Sequence, residues 1–199
     1  GKTPVSEFEP KFPEQFQDES YGPGVSADSL KATILGSGAA TKWHVPADDI
    51  GDGWRATDFD DGAWTSGVTG IGFGYDELTP NGNVLKNAMS GNNATVYARI
   101  PFEVENSAEV VRMTARLKYE DGFVAWLNGE KIAADNEPEA LAWNSKALGS
   151  RPDSLAEQWA EFDVDFSGIV RTGTNVLAVQ VMNSSAGGSD LLFLPEIDV

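Results

Sequence analysis

Asp58, Asp60 and Asp61 crowd one short acidic turn, Trp54-Arg55-Ala56-Thr57-Asp58-Phe59-Asp60-Asp61-Gly62-Ala63-Trp64. Closely spaced carboxylates with backbone carbonyls beside them suit a hard cation that takes only oxygen ligands, and calcium is the ion such a loop predicts. Glu196, in the last apolar run, would complete that set from across the molecule. The spacing is not that of an EF-hand. A structural reading therefore stands beside the metal one: Asp60 or Asp61 accepts backbone N–H bonds in a capped turn while Trp64 plugs a core.

A second constellation points to sugars. Saccharides offer apolar C–H faces to aromatic rings and hydroxyls to amides and carboxylates. Trp143 and Asn144 lie in a long polar stretch from Asp135 to Leu155, with Trp159 just beyond it, and Asn183 and Asp190 sit on another loop. Together Trp143, Asn144, Asn183, Asp190 and Trp159 are the expected ligand-binding residues. The opposing reading is that Trp143 folds down and closes its own loop.

Other chemistries find less support. The chain has no cysteine, which removes disulfides, thiolate catalysis and Cys-built zinc sites. His44 is the only histidine; it lies in Trp43-His44-Val45-Pro46 without a nucleophile motif beside it, and reads as structural. No nucleophile elbow, phosphate loop or His-Glu-x-x-His run occurs, and Gly70-Ile71-Gly72-Phe73-Gly74 reads as a bulged strand. The expectation is a chain that binds and does not catalyse. A carboxylate pair for glycoside hydrolysis stays open, because its spacing is three-dimensional.

With 14 basic and 31 acidic residues the net charge is −17. Nucleic acid and anionic membranes need Lys or Arg clusters, so neither is an expected partner. Neutral glycans suffer no such repulsion. No run approaches the roughly 18 apolar residues of a membrane span. The start, Gly1-Lys2-Thr3, reads as that of a piece of a longer protein.

These residues need a scaffold, and the pattern supplies strands. Tyr119–Ile132 alternates apolar residues into Asn128-Gly129, the dipeptide suited to a type I′ hairpin turn. Strands are predicted at Ala32–Leu35, Thr41–Val45, Val68–Phe73, Thr95–Val104, Val110–Tyr119, Phe123–Leu127, Glu130–Ala134, Trp159–Val164, Val176–Met182 and Leu191–Ile197. Helical turns are expected only within Thr79–Ser90 and Ser154–Gln158. Leu177, Val179 and Val181 make the better core face of their strand, with Gln180 opposite. Phe123–Leu127 is apolar on both faces and should be central and covered twice. The fold expected is all-β: an antiparallel β-sandwich of jelly-roll type over residues 31–199. Residues 1–30, where Phe8, Phe12, Phe16 and Tyr21 stand among Pro and acids, are expected to form an extended arm or the exit from a preceding domain.

Several segments carry a resemblance: Phe12 to Gly22, Phe59-Asp60-Asp61-Gly62-Ala63-Trp64, Gly70 to Gly74, Tyr97-Ala98-Arg99-Ile100-Pro101-Phe102, the Asp121–Gly129 hairpin, Trp143-Asn144-Ser145, Gly173 to Ala178 and Asn183-Ser184-Ser185. Over nearly its whole length the chain resembles galactose-binding-like β-jelly-roll modules of large multidomain exported bacterial proteins. Such modules often stand beside lamin-tail-like or spore-coat-kinase-like domains, and are related to the sugar-binding domain of family 2 glycoside hydrolases. The resemblance implies a non-catalytic module, an extracellular or cell-surface address, and neighbouring domains of the same polypeptide as partners. It favours a structural Trp54–Trp64 loop over a metal site. The leading function expected is carbohydrate binding; the alternative is a spacer that packs against its neighbours and binds no sugar.

Overall fold

Short apolar runs, some alternating and some apolar on both faces, build two antiparallel sheets in the computed structural model, which describes residues 32–199. The expected arm, residues 1–30, lies outside the described residues. The strands are β1 (Thr33–Leu35), β2 (Ala40–His44), β3 (Thr65–Val68), β4 (Ile71–Phe73), β5 (Thr95–Val104), β6 (Thr114–Glu120), β7 (Gly122–Leu127), β8 (Glu130–Asp135), β9 (Ala160–Asp163), β10 (Gly173–Met182) and β11 (Leu191–Asp198). Two helices, α1 (Gly82–Met89) and α2 (Asp153–Ala156), fall where helical turns were expected.

One sheet runs β1-β11-β6-β9, with β4 also paired to β11; the other runs β3-β2-β5-β10-β7-β8. This is an antiparallel β-sandwich of jelly-roll type, as expected. Val68–Phe73 is two strands rather than one. Gly70 has φ +95°, and a Cβ there would run into the Leu78 carbonyl. That left-handed residue turns the chain from β3 in one sheet to β4 in the other. The strand expected from Val110 starts only at Thr114, because a 3₁₀ turn at Ser107–Glu109 delays it. Asn128 (φ 52°) and Gly129 (φ 96°) make the tight turn between β7 and β8.

Between the sheets, Val96, Ala98, Ile100, Leu177, Val179 and Val181 meet Ala115, Leu117, Tyr119, Phe193 and Ile197, all at most 3% exposed. At about 1.5–3 kcal/mol for each large side chain, this layer carries most of the hydrophobic stabilisation. A second apolar cluster lies on the outer face of the six-stranded sheet: Trp54, Trp64, Tyr97, Val124, Trp126, Ala178 and Met182. The central β7 is therefore covered on both faces, as its apolar pattern predicted. Gln180 points to that outer side yet is buried. Its amide donates to the Ala142 carbonyl at 2.7 Å, so the 141–147 loop is tied down over it.

Candidate functional site: a polar pocket at one end of the sandwich

The Trp54–Trp64 turn is built around a cation, but the cation is a side chain. Arg99, on β5, is 3% exposed. Its Nη1 donates to the carbonyls of Trp54 (2.5 Å) and Ala56 (2.7 Å), its Nη2 to Phe59 O (3.5 Å), and its Nε to Asp61 Oδ2 (2.8 Å). The oxygen cage that sequence reading gave to calcium thus encloses a guanidinium. Asp60 accepts the Gly62 N–H at 2.9 Å, a capped turn, and Asp58 is exposed. Trp64 stacks on His44 and Tyr97 at ring separations of 5.4 and 6.4 Å, which gives the only histidine a packing role. Glu196 belongs to the other sheet and accepts from Arg116 Nη1 at 2.9 Å. Arg99 and Glu196 face outward from opposite sheets, so Asp58, Asp60, Asp61 and Glu196 do not converge. That corrects the expected metal set.

The expected sugar-binding residues divide among three places. Trp143 is half-buried and packs on the outer aromatic cluster, while its carbonyl accepts from Asn93 Nδ2 at 3.4 Å. Its loop is held by Thr95 Oγ1 donating to Ser145 O (2.7 Å) and Ala147 N donating to Asn183 O (3.1 Å). Asn144 is exposed beside it. Trp159 lies over the other sheet, against Arg116 and Lys118 of β6. Of these residues, only Asn183 and Asp190 line a common pocket. We expect Trp143→Ala to lower stability by about 1–2 kcal/mol and to leave any glycan affinity unchanged, as read by thermal melting and titration. Lost binding in a variant of unchanged stability would restore the platform reading.

Asn183 and Asp190 line a pocket of about 420 Å³ together with Glu120, Asp121, Arg151 and Asp153. Register builds it. Leu192 of β11 pairs with Glu120, the last residue of β6, which brings Asp190 to the same end of the sheet. Asp153 opens α2, which packs against β6. Carboxylate oxygens of Glu120, Asp153 and Asp190 lie within 4.8 Å of one another. Asp121, 4% exposed, holds the walls: Oδ1 accepts the Arg151 N–H and Oδ2 the Ser184 N–H, each at 2.8 Å. Asn183 is a strut, since its Nδ2 donates to Asp190 O at 2.6 Å and its Oδ1 accepts from Ser185 N at 3.3 Å. In sequence, Glu120 and Asp121 read as the start of a hairpin. The available signal was two adjacent acids set between apolar strands; nothing singled out Asp153.

Electrostatics mark the same spot. Burial pushes the Glu120 carboxyl up to about 7, the nearby Asp190, Asp121 and Asp153 add to the rise, and the 2.7 Å bond from Tyr75 Oη opposes it. Burial and Glu120 likewise push the Tyr75 phenol up. Because the fold raises the Glu120 pKa above its ordinary 4.5, its stabilising contribution is full below that value and is lost as pH rises through about 7. Stability should fall by at most roughly 3 kcal/mol between pH 5 and 8 in chelator. Glu120→Gln should flatten that slope; an unchanged slope in melts of the variant would sink the assignment. Three convergent carboxylates form an oxygen-only donor set, which fits a hard cation such as calcium.

Neither a protein-family model nor a curated protein sequence matches this chain. In fold it is similar to beta-glucuronidases. One is a calcium-binding mutant of Bacteroides uniformis beta-glucuronidase 2, at 14% identity and TM-score 0.50, covering 85% of this chain and 18% of that one. Another is the beta-glucuronidase of an uncultured Clostridium species, at 12% identity and TM-score 0.50, covering 90% of this chain and 30% of that one. Further neighbours include a beta-glucuronidase of glycoside hydrolase family 2. The chain spans under a third of each of these three proteins. The likeness is one of fold, an all-β domain. No helix among the described residues is long and apolar enough to cross a membrane.

Proposed function

We propose that this chain is a non-catalytic carbohydrate-binding module that holds a larger exported protein on a neutral glycan outside the cell or at its surface. The observation that carries this reading is the open pocket at the sandwich end. It sets Glu120, Asp121, Asp153 and Asp190 beside Arg151, Ser184 and Ser189, a lining of donors and acceptors suited to hydroxyls. Three carboxylates gathered about one point suit a chelate, whereas a glycosidase pair must stand on either side of a sugar bond. Glu120, Asp153 and Asp190 would hold calcium, which supplies charge neutralisation and coordination positions for sugar hydroxyls. The net charge of −17 favours neutral over anionic glycans and disfavours nucleic acid and membranes. Neighbouring domains of the same polypeptide would be its other partners.

The spacer reading rests on one observation, the packing of Trp143 onto its own sheet, which removes the most obvious aromatic platform. A glycan array with calcium, repeated after chelation, separates the two. The expected result is binding to a neutral glycan that is lost on chelation and at least tenfold weaker in Asp190→Ala. Silence across the array would favour the spacer. Binding that ignores chelation would keep the sugar and remove the ion.

A further inference from the structure

We infer that the ligand is a short oligosaccharide that bridges two adjoining pockets, the acidic one and a second between the end of β4 and α1. This rests on the carbohydrate reading and adds to it a second subsite and the ligand's length.

Register sets the two pockets side by side. Phe73, the last residue of β4, pairs with Leu191 of β11, so the next residues along, Gly74 and Asp190, come together. A Cβ on Gly74 would stand only 2.7 Å from the Asp190 Cβ, and glycine alone suits φ +89° at such an approach. Asp190 lines the acidic pocket, while Gly74 lines the second, of about 740 Å³. Two touching backbone segments therefore separate them. Gly74 and Ser189, which meet there, are both exposed and carry little or no side chain. Two side chains tie the walls together. Tyr75 donates to Glu120 at 2.7 Å, and Lys86 of α1, which lines the second pocket, reaches the Ser189 carbonyl of the first at 3.4 Å.

The second pocket offers the same kind of recognition. Asp76 and Glu77, in a 3₁₀ turn (Asp76–Leu78), can accept from hydroxyls; the Asn83 amide can do both, and Lys86 donates. All four are exposed. Val84, 61% exposed beside them on α1, gives an apolar contact for the C–H face of a ring. Acids and an ammonium on one small wall suit a neutral polyol better than an ion of either sign. None of these side chains belongs to the carboxylate set of Glu120, Asp153 and Asp190, so this pocket reads sugar without touching the ion. A monosaccharide would fill only the acidic pocket; a chain crossing Gly74 would fill both.

The test is calorimetric titration of the full chain, with calcium, against neutral cello-, xylo- and galacto-oligosaccharide ladders from one unit to six. In the ladder that binds, affinity should rise about tenfold from one unit to three and then level off. Asn83→Ala combined with Lys86→Met should remove that gain, change the affinity of the single sugar less than twofold and leave calcium affinity unchanged. Affinity independent of length, a gain that survives the double variant, or an equal loss for one unit and three overturns the second subsite and leaves sugar binding standing. No binding to any ladder or to the array overturns both.

Discussion

Arg99→Met is expected to destabilise the domain by about 3–5 kcal/mol, which for a chain of this size is a fall in Tm of roughly 10–15 °C. The guanidinium sits in the outer apolar cluster with its charge balanced by Asp61 and three carbonyls. Methionine fills much of the volume but leaves Asp61 without its partner and the carbonyls of Trp54, Ala56 and Phe59 without donors. Each group stranded away from water costs about 1–3 kcal/mol, so the loss of donors outweighs the relief of burying a charge. Arg99→Lys should recover only part of this, because an ammonium cannot reproduce the planar fork that reaches four acceptors. A drop of under about 1 kcal/mol for Arg99→Met would mean that the turn stands without its central cation.

Asp121→Ala should cost about 2–4 kcal/mol and abolish the proposed calcium and glycan binding, although Asp121 belongs to neither expected ligand set. Its carboxylate is the common acceptor for the N–H groups of Arg151 and Ser184, on two loops far apart in the chain. Removing it leaves two half-buried donors unmatched and frees both pocket walls at once. The specific check is amide hydrogen exchange. Protection at Arg151 and Ser184 should collapse in the variant while that of β5 and β10 stays near the native level. Uniform loss of protection would instead place Asp121 in the global core.

What could be read from sequence follows from which interactions are local. Nine of the ten predicted strand segments appear as single strands, because apolar runs such as Thr95–Val104 or Val176–Met182 reflect burial of one or both faces, a property each segment carries alone. The break within Val68–Phe73 is not legible in sequence, because it depends on a glycine conformation that periodicity does not encode. The pocket was half legible. Asn183 and Asp190 stand out in sequence as polar loop residues, and they line it. Glu120 and Asp153 join them only through the pairing of β6 with β11 and the packing of α2, and register of that kind is a long-range outcome. The acidic turn reads in sequence as an oxygen cage for a cation or as a capped turn. Its occupant came from Arg99, which reads in sequence as one more outward strand residue.

The outer apolar layer also decides what light reports about this molecule. Four of the six tryptophans, Trp54, Trp64, Trp126 and Trp143, belong to that layer, while Trp43 lies between the sheets and Trp159 over the opposite face. Intrinsic emission is therefore weighted toward the loops that clasp the six-stranded sheet, and circular dichroism toward the sandwich itself. A melt followed both ways reads two different parts of one fold, and any gap between the curves measures how far those loops release before the strands part.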